Sequence, residues 1–420
     1  MNRVSLKVLV IPLIKSIDAF NYLLKSHHRR TAVATYFIGM QMGLSREEMV
    51  DLVIAASIHD IGALSVQERD QLMKIDMDDP EPHCLMGVKM LSAFDAFDRI
   101  SRIIRHHHTQ YAESLEGAEK IMIQSHIIHL ADRLEILLDP NQFILNQKSE
   151  LVEGILSKRG TIFHPRVCDA FYQASRADIF WIEISNMSME QLFTRIDFDL
   201  YYNLTMGQMV QFSLVISRII DFRSSFTAAH SYTVGQLAHR IGEILGYDGE
   251  SCIKLMIAGY FHDIGKIGID TGFIEKPGSL TEDEYNQVKL HSYYTGQILS
   301  ELSQSEWFRD IVFWAKHHHE KAQGNGYPFL LKAEEITPEI RIIAYADIIS
   351  ALMERRPYRK GVDVDAAFDL IESELADDLD PELFSILYQH RHALSEVVQC
   401  CQVESNEIFL NATSKGIPAV

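Results

Sequence analysis

The tetrapeptide His-Asp-Ile-Gly occurs twice in this chain, at residues 59–62 and again at residues 262–265. A histidine precedes both copies by the same interval, His27 in the first case and His230 in the second. Each copy is then followed by a single histidine, a run of three consecutive histidines and an aspartate, in that order. Five features in one order predict two copies of one domain. The first set is His27, His59, Asp60, His83, His107, His108 and Asp132, and the second is His230, His262, Asp263, His291, His318, His319 and Asp347.

The pattern of apolar residues predicts an all-α fold made of two tandem helical bundles. Apolar residues recur at three- and four-residue spacing, as in Leu255, Ala258 and Phe261, and alternating runs typical of strands are rare. We expect the second copy to form a unit that is separate from the first. The predicted divisions are 1–145 for the first copy, 146–204 for a packed helical connector, 205–385 for the second copy and 386–420 for a C-terminal helix and tail.

Composition narrows the classes of partner. The net charge is −19, from 39 Lys and Arg against 58 Asp and Glu, so no basic surface for a nucleic acid polymer is predicted. The five cysteines include no C-x-x-C pair, which is typical of reduced thiols. The apolar run at residues 8–14 is too short to span a bilayer and contains Pro12. We therefore predict a cytoplasmic protein with no membrane partner.

The seven His and Asp residues of the second set have the chemistry of a metal site. Imidazole nitrogens and carboxylate oxygens suit iron, manganese, zinc or nickel, and the absence of cysteine argues against a structural zinc site. Seven ligands are too many for one ion and suit two, with Asp263 able to bridge them through its two oxygens. Neighbours on a helix point about 100° apart, so His262 and Asp263, if helical, need a site deep among several helices.

Two motifs of the second copy resemble a known family. The stretch HDIGKIGI at 262–269, followed by HHE and then GNGYP ending at Pro328, is similar to the HD-GYP family. These are all-α, metal-dependent phosphodiesterases of the HD superfamily, which hydrolyse cyclic dinucleotide messengers in bacteria. The resemblance implies two divalent ions, iron or manganese before nickel or zinc. It assigns one ion to His230, His262 and Asp347 and the other to His291, His318 and His319, with Asp263 between them.

The resemblance also implies residues that handle the substrate. Lys266 and Asp263 are the implied catalytic residues, because an ammonium beside the scissile phosphate can neutralise a phosphoryl oxygen or protonate the leaving oxygen. The implied substrate-binding residues are Gly326, Tyr327 and Pro328 of the loop and Arg356 and Arg359 of the RPYR stretch.

Two departures from the family pattern concern the metal ligands. Phe226 stands where some members have a carboxylate for a third ion, so two ions are predicted. Gly296 follows His291 by one residue more than Gly87 follows His83, which we interpret as a one-residue insertion that makes the geometry of His291 the least secure.

The first copy keeps the ligands but not the groups that handle phosphate. Ala63 stands where the second copy has Lys266, Thr109 stands where it has Glu320, and no GYP or RPYR follows. We interpret the first copy as a degenerate HD domain with a packing, dimerising or regulatory role. Whether it binds metal is left open at this point, as is a homodimer.

The predicted function is hydrolysis of a 3′–5′ cyclic dinucleotide to the linear 5′-phosphorylated dinucleotide. The sequence leaves cyclic di-GMP and 3′,3′-cyclic GMP-AMP open as substrates. One alternative is another nucleotide phosphohydrolase of the HD superfamily, against which the GYP loop argues. The other is a non-catalytic receptor, which would be favoured only if ligands were lost from the second copy.

Overall fold

The computed structural model describes residues 2–20, 26–63, 81–117, 120–198, 201–222, 230–276, 278–354, 361–375 and 380–413. The all-α prediction is confirmed, because the described residues are overwhelmingly helical. The strands in these ranges, Asn2–Ser5 and Tyr201–Leu204, pair in a single two-stranded sheet. Across the same ranges no helix combines the length and the apolar character that crossing a bilayer requires.

The chain divides into two compact units. The N-terminal unit comprises residues 5–10 and 17–202, and the C-terminal unit comprises residues 1–4, 11–16 and 203–420. Helix Leu6–Phe20 contributes residues to both. Among the described residues up to 202, the other α-helices are His27–Met42, Arg46–Ser57, Glu81–Leu91, Asp98–Arg105, Tyr111–Glu116, Ile123–Ile136, Ile144–Leu156, Pro165–Ser175, Asp178–Asn186 and Met189–Arg195, with a 3₁₀ helix at Asp95–Phe97.

Helix His27–Met42 organises the N-terminal unit. It packs against the helices that begin at Arg46, Ile123 and Pro165. The Arg29 guanidinium donates hydrogen bonds to the carbonyl oxygens of Ile184 at 3.1 Å and Met187 at 2.7 Å, so the segment after residue 144 is tied to this helix. Because these carbonyls lie at the end of helix Asp178–Asn186, a cation there is also favoured by the helix dipole.

The C-terminal unit is built around helix His230–Ile244. This helix packs against Gly249–Phe261, Pro338–Met353 and Arg391–Thr413. The remaining α-helices in the described part of the unit are Met206–Asp221, Thr271–Ile274, Glu282–Ile298, Glu306–Lys316, Val364–Leu375 and Pro381–Gln389, with 3₁₀ helices at Ile264–Gly268, Leu299–Gln304 and Ala333–Glu335.

Sequence signals explain where several of these helices begin. The Thr281 hydroxyl accepts from the Glu284 amide at 3.3 Å, and the Glu284 carboxylate accepts from the Thr281 amide at 2.7 Å. Ser45 and Glu48 form the same reciprocal pair before helix Arg46–Ser57. Such capping boxes satisfy amides that a helix start leaves without intrahelical partners, so each helix begins at a defined residue.

The glycine of each HDIG motif permits close contact with the helix that carries the next histidine. A Cβ at Gly265 would lie 1.9 Å from the His291 carbonyl oxygen and 2.5 Å from the Thr295 amide nitrogen. A Cβ at Gly62 would lie 2.1 Å from the carbonyl oxygen of His83 and 2.4 Å from the amide nitrogen of Gly87. Only glycine fits at both places, and this packing brings the two parts of each histidine set together.

Candidate metal centre and active site

The seven predicted ligands of the second set come together in the C-terminal unit. Their ligand atoms form three groups, and within each group all of the atoms lie within 4.8 Å of one another. They are His230, His262 and Asp347; His262, Asp263 and His318; and His291, His318 and His319. The overlap of these groups places the whole set around one region, which is buried except where Asp347 and His319 are partly exposed.

The His262-Asp263 pair lies at a helix end, so the expectation that it sits on a helix is wrong. His262 caps the C-terminal end of helix Gly249–Phe261, and Asp263 precedes the 3₁₀ helix Ile264–Gly268. Asp263, with φ −102° and ψ 3°, departs from the α-helical conformation. The other ligands still come from several helices, because His230, His291 and Asp347 lie on three different ones.

The predicted one-residue insertion after His291 is also wrong. Gly265 packs between the His291 carbonyl and the Thr295 amide, and Gly62 packs between the carbonyl of His83 and the amide of Gly87. In both copies, the amide that contacts the HDIG glycine belongs to the residue four positions after the histidine. Thr295 rather than Gly296 therefore corresponds to Gly87. His291 therefore has the same helical register as its counterpart.

The two oxygens of Asp263 face different histidines. Oδ2 lies 3.2 Å from His262 Nε2 and 3.6 Å from His230 Nε2, and Oδ1 lies 3.5 Å from His291 Nε2. His230 Nε2 also lies 3.1 Å from Asp347 Oδ1. Two ligands bound about 2.1 Å from one tetrahedral ion are about 3.4 Å apart. The spacing of these atoms thus fits two ions that share Asp263.

Backbone carbonyls orient three of the imidazoles for metal binding. The Nδ1 atoms of His262, His291 and His318 each lie 2.7 Å from the carbonyl oxygen three residues earlier. An Nδ1–H that donates to a carbonyl leaves Nε2 as a lone pair directed into the cluster. In the described part of the chain, His262 Nε2 and Asp263 Oδ1 are buried without a hydrogen-bond partner. Such atoms are costly to leave unsatisfied, and divalent ions would satisfy them.

The electrostatics differ between the two sides of the cluster. Burial lowers the pKa of His291 to about 4 and that of His319 to about 3, so both are neutral near pH 7. Burial also acts to lower the pKa of His230, but the Glu354 and Asp347 carboxylates outweigh it and raise that pKa to about 10. A metal ion bound by His230 would therefore displace a proton.

Sequence reasoning missed Glu354 and Ser350 as partners of His230. The Nδ1 atom of His230 lies 3.2 Å from Glu354 Oε2 and 3.1 Å from Ser350 Oγ, and the serine hydroxyl donates to Glu354 Oε1 at 2.7 Å. A carboxylate behind a ligating histidine fixes its ring and raises its basicity. The spacing of seven residues from Asp347, two helical turns, is the signal that predicts this contact.

The predicted catalytic lysine, Lys266, lies beside Asp263. Lys266 Nζ forms an ion pair with Asp263 Oδ2, and the lysine side chain is 22% exposed whereas the aspartate is 2% exposed. Lys266 is carried by the 3₁₀ helix Ile264–Gly268, one turn after Asp263. The ammonium is thus more accessible to solvent than the carboxylate with which it pairs.

The GYP loop covers the side of the cluster formed by His319. The Tyr327 ring stacks on the His319 ring at 4.7 Å between centroids with an interplanar angle of 29°, and the Tyr327 amide donates to the His319 carbonyl at 3.2 Å. Gly326 is buried, and a side chain there would clash, since a Cβ would lie 2.5 Å from Glu320 Cα. Pro328 is exposed. Of the three predicted loop residues, Tyr327 is the one whose ring reaches a predicted ligand.

Glu320 holds this loop and was not among the predicted site residues. Its Oε1 atom accepts from the Phe329 amide at 2.7 Å, and its Oε2 atom accepts from the Leu331 amide at 3.0 Å. The side chain is 5% exposed, so the two bonds are shielded from competing water. Its place directly after the predicted ligands His318 and His319 is the sequence signal for this positioning role.

Tyr285 and Lys289 form an exposed rim next to the loop, which the sequence alone did not single out. The Tyr285 ring lies 6.1 Å from the Tyr327 ring and is 43% exposed. Lys289 Nζ lies 4.6 Å from the centroid of Tyr285 and 5.9 Å from that of Tyr327. An aromatic face and a cation side by side suit a nucleobase and a phosphate.

The first histidine of the triplet lies away from the metal ligands. The His317 ring is buried between the rings of Phe313 at 4.4 Å and Phe329 at 4.8 Å. Burial lowers its pKa to about 4. It packs beneath the loop, and among the described residues it belongs to none of the groups of neighbouring ligand atoms. Arg356, Arg359 and Phe226 lie outside the described residues.

Family models match both halves of the chain. An HD-domain model matches residues 214–383, and a second HD-domain model matches residues 24–137. The chain belongs to the HD-domain family. The predicted family and the tandem arrangement of two HD domains are confirmed.

Relatives and a solved structure resemble this HD-domain protein along different lengths. The 3′3′-cGAMP-specific phosphodiesterase 1 of Vibrio cholerae is 26% identical over 382 residues, which span 87% of each chain. The cyclic di-GMP phosphodiesterase response regulator RpfG of Xanthomonas campestris is 34% identical over 43% of this chain and 48% of its own length. The crystal structure of the V. cholerae cyclic GMP-AMP specific phosphodiesterase V-cGAP3 has a TM-score of 0.60 at 22% identity, covering 92% of this chain and 98% of that one, which supports the fold.

The predicted residues of the N-terminal HD domain also form a cluster. The ligand atoms there form two groups, and within each group all of the atoms lie within 4.8 Å of one another. They are His27, His28, His59 and Asp60, and Asp60, His83, His107 and His108. Both HD domains therefore present His and Asp clusters that could hold metal ions, and His28 is a member that sequence analysis did not identify.

Proposed function

We propose that the C-terminal HD domain hydrolyses a 3′–5′ phosphodiester bond of a cyclic dinucleotide with the aid of two divalent metal ions. The observation that carries this proposal is the position of Asp263 between two groups of imidazoles, with Lys266 and Tyr327 at its open side. Imidazole and carboxylate together suit iron, manganese, nickel and zinc. We propose iron or manganese, with nickel and zinc as alternatives, on the resemblance to the HD-GYP family.

The two ions, held by the seven predicted ligands, would polarise the phosphoryl oxygens and make water a stronger nucleophile. Lys266 is placed to neutralise charge on the phosphate, since its ammonium lies beside Asp263 at the exposed edge of the cluster. Water attacks phosphorus, the bond to the 3′-oxygen breaks and that oxygen takes up a proton. The product is a linear dinucleotide with a 5′-phosphate.

We assign the nucleobases to the rim beside the loop. The Tyr285 ring is 43% exposed and offers a face for stacking, its centroid lies 6.1 Å from that of Tyr327 in an edge contact, and Lys289 adds positive charge there. Base stacking on aromatic side chains stabilises binding by about 1–3 kcal/mol for each base. The net charge of −19 makes such local positive charge important for an anionic substrate.

We propose 3′,3′-cyclic GMP-AMP as the first substrate and cyclic di-GMP as the second. A 3′3′-cGAMP-specific phosphodiesterase matches 87% of this chain, whereas the cyclic di-GMP phosphodiesterase RpfG matches 43%. The two messengers share one backbone and differ in one base, so the same metal centre serves either.

Parallel hydrolysis of the two messengers by the full chain tests the proposal. Protein reloaded with manganese or ferrous iron is incubated with each messenger, and linear products are separated by chromatography. Cleavage of at least one messenger that stops in the presence of a chelator is the expected result. Tight binding of both by metal-loaded protein without cleavage would instead identify a receptor, and cleavage of mononucleotide esters alone would identify a different phosphohydrolase.

A further inference from the structure

The N-terminal HD domain contains a histidine cluster whose bridging group is Asp60. Its Oδ2 atom lies 3.3 Å from His59 Nε2, 3.5 Å from His27 Nε2 and 3.6 Å from His28 Nε2. Its Oδ1 atom lies 3.6 Å from His107 Nε2 and 3.7 Å from His83 Nε2. These separations match the spacing of about 3.4 Å expected for two ligands on one tetrahedral ion.

The imidazoles of this cluster are oriented as metal ligands. His59 Nδ1 lies 2.8 Å from the Ala56 carbonyl oxygen, and His107 Nδ1 lies 2.6 Å from that of Ile104. As in the C-terminal domain, this contact leaves Nε2 as a lone pair that faces the bridging aspartate.

Several atoms of the cluster need a partner that the protein does not supply. Within the described residues, Asp60 Oδ1, His108 Nε2 and both ring nitrogens of His28 are buried without a hydrogen bond. On the other side of the His28 ring, Asp18 Oδ1 lies 3.7 Å from His28 Nδ1. Buried polar atoms are seldom left unsatisfied, and divalent ions on the side of Asp60 would satisfy His28 Nε2, His108 and Asp60 together.

Among the residues that differ between this cluster and its C-terminal counterpart, two lie directly after predicted ligands. His28 stands where the other domain has Ser231, so it adds an imidazole next to His27. Arg133 stands where the other domain has Ile348, and its guanidinium donates to Asp132 Oδ2 at 2.7 Å through Nη2 and 3.1 Å through Nε. Arg133 thus holds Oδ2 of Asp132, while Oδ1 lies 3.3 Å from His27 Nε2 and 3.7 Å from His59 Nε2, and His28 adds an imidazole on this side of the cluster.

The N-terminal cluster is also closed to solvent. All four residues of each group are buried, whereas the C-terminal groups include the partly exposed Asp347 and His319. A group of four protein ligands satisfies a tetrahedral ion, and catalytic sites instead keep a position open for water or substrate. The N-terminal domain also has Ala63 in place of the catalytic lysine.

We propose that the N-terminal HD domain binds two divalent metal ions in a closed, non-catalytic centre in which His28 is a ligand. The first ion is held by His27, His28, His59 and Asp60. The second is held by Asp60, His83, His107 and His108. The proposed ligands are buried and come from several helices. The ions are therefore incorporated as the domain folds, and they stabilise it.

Metal retention in the full chain tests this proposal. Protein is expressed with added zinc or manganese and exposed briefly to EDTA, and the metal per chain is measured by mass spectrometry. Wild-type protein is expected to fall from about four ions per chain to about two that resist the chelator, since two clusters each fit two ions. Loss of all ions at one rate, or the absence of any resistant ion, would overturn the closed centre.

Variants test the role of His28. His28→Ser introduces the residue found in the other domain and is expected to reduce the resistant metal from about two ions to about one. The control is His164→Asn, which removes an imidazole of the same unit. The Arg166 amide donates to His164 Nδ1 at 3.1 Å, and the asparagine side chain keeps an acceptor for it. Circular dichroism verifies folding, and His28→Asn replaces the serine variant if the latter unfolds. Unchanged resistant metal in a folded His28 variant would remove His28 from the ligand set.

Discussion

The two HD domains of this chain carry the same arrangement of ligands in different surroundings. In both, an HDIG glycine packs against the helix of the next histidine, and an aspartate lies between two groups of imidazoles. In the C-terminal domain, Lys266 and the GYP loop stand at an exposed side of that arrangement, while in the N-terminal domain the groups are buried throughout. The ligand set alone therefore indicates metal binding, and the access to it indicates which domain does chemistry.

The largest difference is expected when the bridging aspartates are compared. Asp263→Asn should lower hydrolysis about a thousandfold or more, because one oxygen of a shared ligand is lost from the reacting centre. Asp60→Asn should leave most of the activity and lower the thermal midpoint. Turnover and melting curves of both purified variants measure this, and an equal loss of activity in two folded proteins would end the assignment of catalysis to the C-terminal domain.

Lys266 provides the next test. Lys266→Met should reduce kcat about a hundredfold, since a charge aimed at the phosphate stabilises the transition state by an amount of that order. Metal content should not change, which mass spectrometry checks. The reciprocal change Ala63→Lys in the N-terminal domain should add no activity. A Lys266→Met enzyme with more than a tenth of wild-type kcat would contradict the catalytic role.

A smaller effect is expected for the loop. The Glu320 carboxylate accepts hydrogen bonds from two backbone amides, and Glu320→Gln places an NH₂ donor against one of them. The loop should therefore shift and kcat/KM should fall about tenfold. Thr109→Ala, at the matching position of the N-terminal domain, should have no effect on steady-state kinetics. Equal kinetics for Glu320→Gln and wild type would show that the loop is held by other contacts.

The smallest expected effect is at the rim. Tyr285→Ala should raise KM about fivefold with little change in kcat, because one stacking face worth about 1 kcal/mol is removed. Tyr285→Phe keeps the ring and should behave as wild type. Tyr293→Ala is the matched control, since Tyr293 is a similarly exposed tyrosine on the same helix. Should both alanine variants shift KM alike, the effect would not be specific to the rim.

Much of the candidate site could be predicted because its ligands occur in two ordered sets. Imidazoles and carboxylates at repeated spacing identify His230, Asp263 and Asp347 without knowledge of the fold. The surroundings could not be predicted in this way. Glu320, Tyr285 and Glu354 are single polar or aromatic residues of common types, and their roles depend on which backbone amide, ring or imidazole lies beside them.

The sequence by itself determined the all-α class, the tandem repeat and the residue types of the metal ligands, since helical periodicity and motif order are local properties. Only the tertiary structure decided that the His262-Asp263 pair lies at a helix end, that Glu320 holds the loop and that His28 joins the N-terminal cluster. The first two features depend on the local path of the backbone, since Glu320 bonds to the amides of Phe329 and Leu331, and the third depends on how the helices pack. The packing of helices, rather than the spacing of residues, determines whether a histidine faces a ligand, a ring or another histidine.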